Sequence, residues 1–253
     1  MLEKCKDPGL GVRSLQARGI TGRGVNVAIL DQPLLTDHPE FADRIAAYYD
    51  TGCEGETGSM HGPAVASLLA GKTIGVAPDA TLYFWGMDNV KSWDREDDGN
   101  VAWKEYARVI ERVIELNRTL PENGKIRVIA ISRGYNFTGN EEVDAELQVM
   151  LDAIHHASDE GIFVITTSTE LNYDFFEAYG TDAPFAGLGK LDPLGDPDSP
   201  DTYTLGSWQW ESAEMFEKSL LVPMDGRTTA DMSGDTYAVS YTHLRAHETD
   251  SYL

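Results

Sequence analysis

Apolar positions along this chain fall into short β-branched runs that alternate with longer stretches of helical spacing. Val25–Leu30 is the first run, short, β-branched and apolar apart from Asn26, which suits a buried parallel strand. Asp31 stands at its end, and Gln32-Pro33 breaks it. Between Ser59 and Gly71 the period changes. Pro63 suits a first helical turn, Val65, Leu68 and Leu69 share one face, and Gly71 supplies a stop. Gly75–Pro78 reads as a turn and Ala80–Trp85 as a strand. Tyr106, Val109, Ile110 and Val113 form one helical stripe with Glu105, Arg108, Glu111 and Arg112 outside it, and this helix must end before Pro121. Val128–Ser132 is the next expected strand. Val143, Leu147, Met150, Leu151 and Ile154 make a second amphipathic helix, closed near Gly161, and Ile162–Thr167 is another strand. Strands alternating with helices predict βαβ units, hence an α/β fold with a mainly parallel central sheet flanked by helices. Beyond Leu171 the pattern weakens. Phe175–Asp201 reads as a long loop, Tyr203–Trp208 and Leu220–Val222 are candidate strands, and from Ser240 no period emerges.

At 253 residues and 42% hydrophobic content, one large globular core is expected. Charge narrows the partners. The 42 acidic residues against 20 basic ones leave a formal net charge of −22, which disfavours nucleic acid and anionic membranes. Carboxylates in such number also raise calcium binding as an option, but no D-x-D-x-D-G loop supports it, so no cofactor or metal is expected. The two cysteines, Cys5 and Cys53, predict free thiols rather than a disulfide framework. Residues Met1–Gly11 lack the apolar core of a signal peptide, so a cytoplasmic location is the default and secretion after processing stays open. Oligomeric state is not legible here.

Asp31 lies where α/β sheets collect their functional groups, at a strand's carboxyl end. Alone, it reads equally as a helix cap or a ribose ligand. A dinucleotide site needs its glycines after the strand, whereas Gly19, Gly22 and Gly24 precede this one. His61 opens the helix that follows, and a lone histidine there is most often structural. Its context alters that reading. His61-Gly62-Pro63-Ala64-Val65-Ala66 is followed by Gly75-Val76-Ala77-Pro78 and preceded by Gly22-x-Gly24-Val25-x-Val27-Ala28-Ile29-Leu30-Asp31 and Asp37-His38-Pro39-Glu40-Phe41. Together these motifs resemble the subtilisin-like serine peptidase superfamily, strongly to Gly134 and faintly on to Thr229. The resemblance implies a three-layer α/β fold and a serine endopeptidase acting on a peptide or protein substrate. It makes Asp31 the orienting carboxylate and His61 the general acid/base. It also likens Ser132-Arg133-Gly134 to the strand that pairs with substrate backbone. Arg133 then sets a positive charge beside the peptide or is an ordinary solvated arginine, and both readings stand.

The chain departs from that family at four places. Gln32-Pro33 follows the aspartate and Pro63 follows His61-Gly62, changes that a turn and a helix start tolerate. At the position of the family's oxyanion-binding Asn stands Glu170, which cannot donate a hydrogen bond when ionised; a hydroxyl from Ser168 or Thr169 is the expected substitute. No Gly-Thr-Ser nucleophile motif occurs. Aligning the preceding residues puts His243 at that position, and neither Ser233 nor Ser240 has the required context. The tail VSYTHLRAHET (239–249) looks foreign. The expected division is therefore an incomplete catalytic domain over 1–237 and an extraneous tail over 238–253. The alternative function is a pseudopeptidase that binds peptides or a partner protein without cleaving them.

Overall fold

The continuous apolar runs become the centre of one parallel sheet. In a computed structural model describing residues 2–51, 60–87, 103–135, 137–167, 185–192, 194–205, 220–223 and 226–240, the first strand, β1, spans Asn26–Asp31. It is followed by β2 (Ile45–Thr51), β3 (Thr81–Met87), β4 (Ile126–Ile131) and β5 (Phe163–Thr166). The strand order is β2-β3-β1-β4-β5 with every pairing parallel. Four α-helices among the described residues accompany it: α1 (Val12–Ala17), α2 (His61–Ala70), α3 (Trp103–Thr119) and α4 (Glu141–Asp159).

Alternation along β1 builds a core on each face of the sheet. Val27 and Ile29, with Leu82 and Phe84 of β3, pack against Ala66 and Ala70 of α2. Ala28 and Leu30 face the other way, joining Ile129, Ile131 and Val164 against the α3 stripe of Tyr106, Val109, Ile110 and Val113 and against Leu147, Leu151 and Ile154 of α4. Three layers result: α2, the sheet, then α3 with α4. Both amphipathic helices thus bury the face that their spacing predicts. The start of α4 is set by Asn140, whose side chain accepts from the N–H groups of Glu142 and Val143. Its end is set by Gly161 at φ +75°. No helix among the described residues is long and apolar enough to cross a membrane.

Several expectations need correction. The reading of Phe175–Asp201 as one loop is overturned by β6 (Phe185–Lys190), which pairs antiparallel with β7 (Tyr203–Leu205) and parallel with β8 (Leu220–Pro223). Two glycines in its six residues, FAGLGK, hide that strand from a propensity reading. Residues 206–208 of the candidate strand Tyr203–Trp208 lie outside the described residues. β2 was not expected: it is an edge strand of half-buried and exposed residues whose run Ile45–Tyr49 includes two alanines, poor strand formers. β4 lies two residues earlier at its start than expected, leaving Ser132 beyond its end. A hairpin, β9 (Arg227–Ala230) with β10 (Tyr237–Ser240), was also not foreseen, and its pairing crosses the expected 237/238 boundary, reaching Ser240↔Arg227.

Buried polar residues of the Asp37–Phe41 segment fasten that hairpin to the body. His38 Nε2 lies 3.0 Å from the Thr236 carbonyl, and its Nδ1 accepts from the Glu40 N–H. Glu40 Oε1 accepts from the Tyr237 hydroxyl at 2.8 Å, and its Oε2 accepts from the Thr73 N–H at 2.8 Å. Burial alone would raise the Glu40 pKa; the bonds from Thr73 and Tyr237 outweigh it and hold the carboxyl below its ordinary value. A depressed carboxyl pKa contributes stability above the unfolded value, near 4.3, and loses it as pH falls through the folded one. Glu40→Gln is therefore expected to lower stability at pH 7 by about 1.5–3 kcal/mol, the worth of hydrogen bonds to a charged group. The deficit should shrink below about pH 4. Urea unfolding at both pH values measures it, and an equal deficit at both would show that the carboxylate charge is not what matters.

Candidate active site

Chain topology singles out one crevice. From β1 the chain leaves toward the β2 edge of the sheet, and from β4 it leaves toward the β5 edge, so the carboxyl ends of these neighbouring strands flank an open switch point. Asp31 ends β1 and Ser132 follows β4.

His61 reaches this crevice because α2 starts against the turn that follows β1. A Cβ on Gly62 would fall 2.3 Å from the Gln32 carbonyl oxygen and 2.7 Å from that of Pro33, so only glycine lets the helix approach so closely. Pro63 sits in the first turn, where its missing N–H leaves no bond unmade. Both local departures from the family pattern, Gln32-Pro33 and Pro63, thus lie in one packed junction. The result is a buried pair, with His61 Nδ1 2.5 Å from Asp31 Oδ1 and the residues 8% and 3% exposed. The Gln32 N–H donates to the same oxygen at 2.7 Å. An ionised carboxylate only accepts, so the imidazole proton is held on Nδ1 and Nε2 carries the lone pair that can take a proton.

The opposite wall is Ser132-Arg133-Gly134. β4 pairs with β1 only as far as Leu30↔Ile131. Past that point the β5 side stays paired, the Thr167 N–H donating to the Arg133 carbonyl at 3.2 Å. On the β1 side no strand among the described residues continues the ladder. An extended chain laid there would complete it. Arg133 has its guanidinium 5.7 Å from the centre of the buried Trp103 ring at the start of α3, and Trp103 meets Tyr135 edge-on at 6.0 Å.

The structure therefore brings Asp31, His61 and the Ser132–Gly134 segment to one end of the sheet. Ser168, Thr169, Glu170 and His243 lie outside the described residues. Ser233 sits in the exposed β9–β10 turn, its hydroxyl 3.1 Å from that of Thr236, and Ser240 ends β10, so neither opens a helix. Among the described residues no group of three or more His, Cys, Asp or Glu side chains could hold a metal ion. Cys5 is fully buried, and Cys53 lies outside the described residues. Sequence reasoning missed the part played by the Gln32 N–H, which no side-chain pattern signals, and by Trp103, whose aromatic character gives no hint of the arginine it carries.

Comparison with known proteins agrees with this architecture. The model of the Subtilase family matches residues 22–199. The extracellular serine proteinase of Thermus sp. (strain Rt41A) is 38% identical over 66 residues, 25% of this chain and 16% of that protein. The cuticle-degrading protease of Metarhizium anisopliae is 30% identical over 147 residues, 53% of this chain and 35% of that protein. The chain thus spans little more than a third, at most, of the length of these two relatives. Among solved structures, fervidolysin from Fervidobacterium pennivorans, a keratinolytic enzyme related to subtilisin, superposes with a TM-score of 0.58 at 17% identity, covering 92% of this chain and 33% of that one. The expected three-layer, subtilisin-like α/β fold is the one observed.

Proposed function

The chain belongs to the subtilase family, and we propose that it is the larger part of a serine endopeptidase domain whose acid/base pair is Asp31 and His61. The observation that carries this reading is the buried 2.5 Å contact between His61 Nδ1 and Asp31 Oδ1 at the carboxyl end of β1. A serine hydroxyl is a weak nucleophile at neutral pH, so its attack on a peptide carbonyl requires a base to take the proton. His61 Nε2 takes it, and Asp31 stabilises the imidazolium that forms. The same proton then passes to the departing amine, leaving an acyl-serine. Water attacks the acyl group in the second half, with His61 again taking and returning a proton. The peptide lies along Ser132–Gly134, where backbone hydrogen bonds supply affinity without regard to side chains. A hydroxyl from Ser168 or Thr169 substitutes for the amide donor that Glu170 cannot supply. None of these steps calls on a cofactor.

This reading requires a serine that none of the described residues supplies. Sequencing the source locus past the codon for Tyr237 tests that point, and a Ser in a Gly-x-Ser turn opening a Pro-containing helix is expected. The protein so defined should react with a fluorophosphonate probe, and His61→Ala should abolish labelling. Equal labelling of the variant would remove His61 from the mechanism. Peptide binding without any labelling would favour the pseudopeptidase, the reading that Glu170 at the oxyanion position motivates.

A further inference from the structure

A single polar side chain interrupts the apolar body of α2. From Pro63 to Ala70 the helix reads PAVASLLA, and Ser67 is fully buried. A hydroxyl taken out of water costs free energy unless its bonds are made inside. Ser67 makes two. Its Oγ donates to the Ala64 carbonyl at 2.8 Å, one turn back, and accepts from the Ala230 N–H at 3.0 Å. The first bond is the ordinary resting place of a serine in mid-helix. The second leaves the helix, and it needs a side chain that donates and accepts at once, as a hydroxyl does. Ala230 ends β9 and belongs to the same core as Ala66 and Ala70 of α2 and Val27 and Ile29 of β1. Its N–H is closed off from water, so loss of the Ser67 hydroxyl would leave a buried donor unpaired.

That bond grips the helix that carries His61. The hairpin at its far side is anchored in turn. The Thr236 carbonyl lies 3.0 Å from His38 Nε2, the Tyr237 hydroxyl donates to Glu40, and Glu40 also accepts from Thr73, just past the end of α2. At the helix start, the approach of Gly62 to the Gln32 and Pro33 carbonyls is a limit set by contact. It stops α2 from moving closer but not from moving away. An α-helix rises about 1.5 Å per residue, so His61 lies about 9 Å along the axis from Ser67. Over so short a span the helix moves as a rigid rod, and a displacement at Ser67 reaches His61 almost undiminished. The His61–Asp31 contact is 2.5 Å, and hydrogen bonds weaken steeply with misalignment. On the reading that Asp31 and His61 form the acid/base pair, we propose that Ser67 is a positioning residue. By tying α2 to the anchored β9–β10 hairpin, it holds the His61 imidazole in register with Asp31. It touches no reacting atom and acts through the helix.

Proton exchange in the 253-residue chain tests this without requiring turnover. With the histidine nitrogens isotopically labelled, the Nδ1–H signal of His61 is assigned by its disappearance in His61→Gln, and its exchange with water is followed by NMR. Opening of the pair exposes that proton, so the rate reads how often the contact breaks. Ser67→Ala is expected to raise the rate about tenfold, the factor that one lost buried hydrogen bond corresponds to. Ser67→Cys, whose thiol accepts only weakly, should give a smaller rise and reads the same bond if the alanine variant does not fold. Asn140→Ala controls for stability alone. It removes the cap of α4, on the opposite face of the sheet, at a cost of similar size, and should leave the rate unchanged. A wild-type rate in both Ser67 variants, or an equal rise in Asn140→Ala, overturns the role of Ser67 and leaves the pair standing. Absence of a slowly exchanging Nδ1–H signal from His61 in the wild-type chain overturns the acid/base reading, and the role of Ser67 with it.

Discussion

Asp31→Asn is expected to lower kcat of the proposed peptidase by about 10³-fold while leaving KM nearly unchanged. The size follows from what the carboxylate does when the proton arrives. An imidazolium and a carboxylate with charge centres roughly 4 Å apart attract by about 4 kcal/mol at an effective dielectric constant of about 20, which is about three decades in rate. Because substrate binding involves neither charge, the loss falls on kcat. The geometry also bears on a second effect of such a substitution. An amide can turn its NH₂ toward the histidine, which forces the wrong tautomer and deepens the loss to about 10⁴. Here the Gln32 N–H and His61 Nδ1 both meet the same oxygen, Asp31 Oδ1, at 2.7 and 2.5 Å. The Gln32 donor keeps an oxygen at that point, so the asparagine should still accept from Nδ1 and preserve the reactive tautomer. Asp31→Ala removes the acceptor as well as the charge and should be worse by a further factor of about ten. Steady-state kinetics on both variants separate the two effects. Equal losses would mean that the amide has turned round.

Much of this site was legible because buried parallel strands announce themselves. Val27–Leu30 is apolar on both faces, and a single carboxylate at its end stands out against it. His61 was legible through its neighbours, Gly62 and Pro63, since glycine and proline at a helix start mark close packing and a turn that needs no N–H. That the two side chains meet is another matter, because residues 31 and 61 are brought together by a crossover that no local pattern encodes. Polar burial was hidden for a related reason. His38 and Glu40 look like surface residues in sequence, and only the hairpin from the far end of the chain, through Thr236 and Tyr237, supplies the partners that make their burial tolerable. β2 and β6 were missed because two alanines in an edge strand and two glycines in a six-residue strand weaken the strand signal. Arg133 was read with two meanings left open. The ring that orients it, Trp103, lies in a different element thirty residues earlier, so the sequence offered no reason to couple them.

Gly62→Ala should damage both the stability of this half of the molecule and the geometry of its acid/base pair. The added Cβ would fall 2.3 and 2.7 Å from the carbonyl oxygens of Gln32 and Pro33. Both are backbone atoms at the exit of the central strand, so neither can swing aside as a side-chain tip would. Relief has to come from α2, which must retreat by about an ångström, and such overpacking typically destabilises by about 1–3 kcal/mol. The helix carries more than its own packing. His61 is the preceding residue, and a retreat stretches its contact with Asp31. Ser67, further along, holds β9 through the Ala230 N–H at 3.0 Å. A misplacement on this scale is expected to cost about 10² in kcat of the proposed peptidase. Gly161→Ala is the control. That glycine has φ +75° but open space where a Cβ would go, so its alanine variant should lose about 1 kcal/mol from backbone conformation and keep its kcat. Urea unfolding and kinetics on the pair distinguish strain at the α2 junction from a general intolerance of alanine. If Gly62→Ala kept wild-type kcat, the close approach of α2 to the Gln32–Pro33 turn would not be what positions His61.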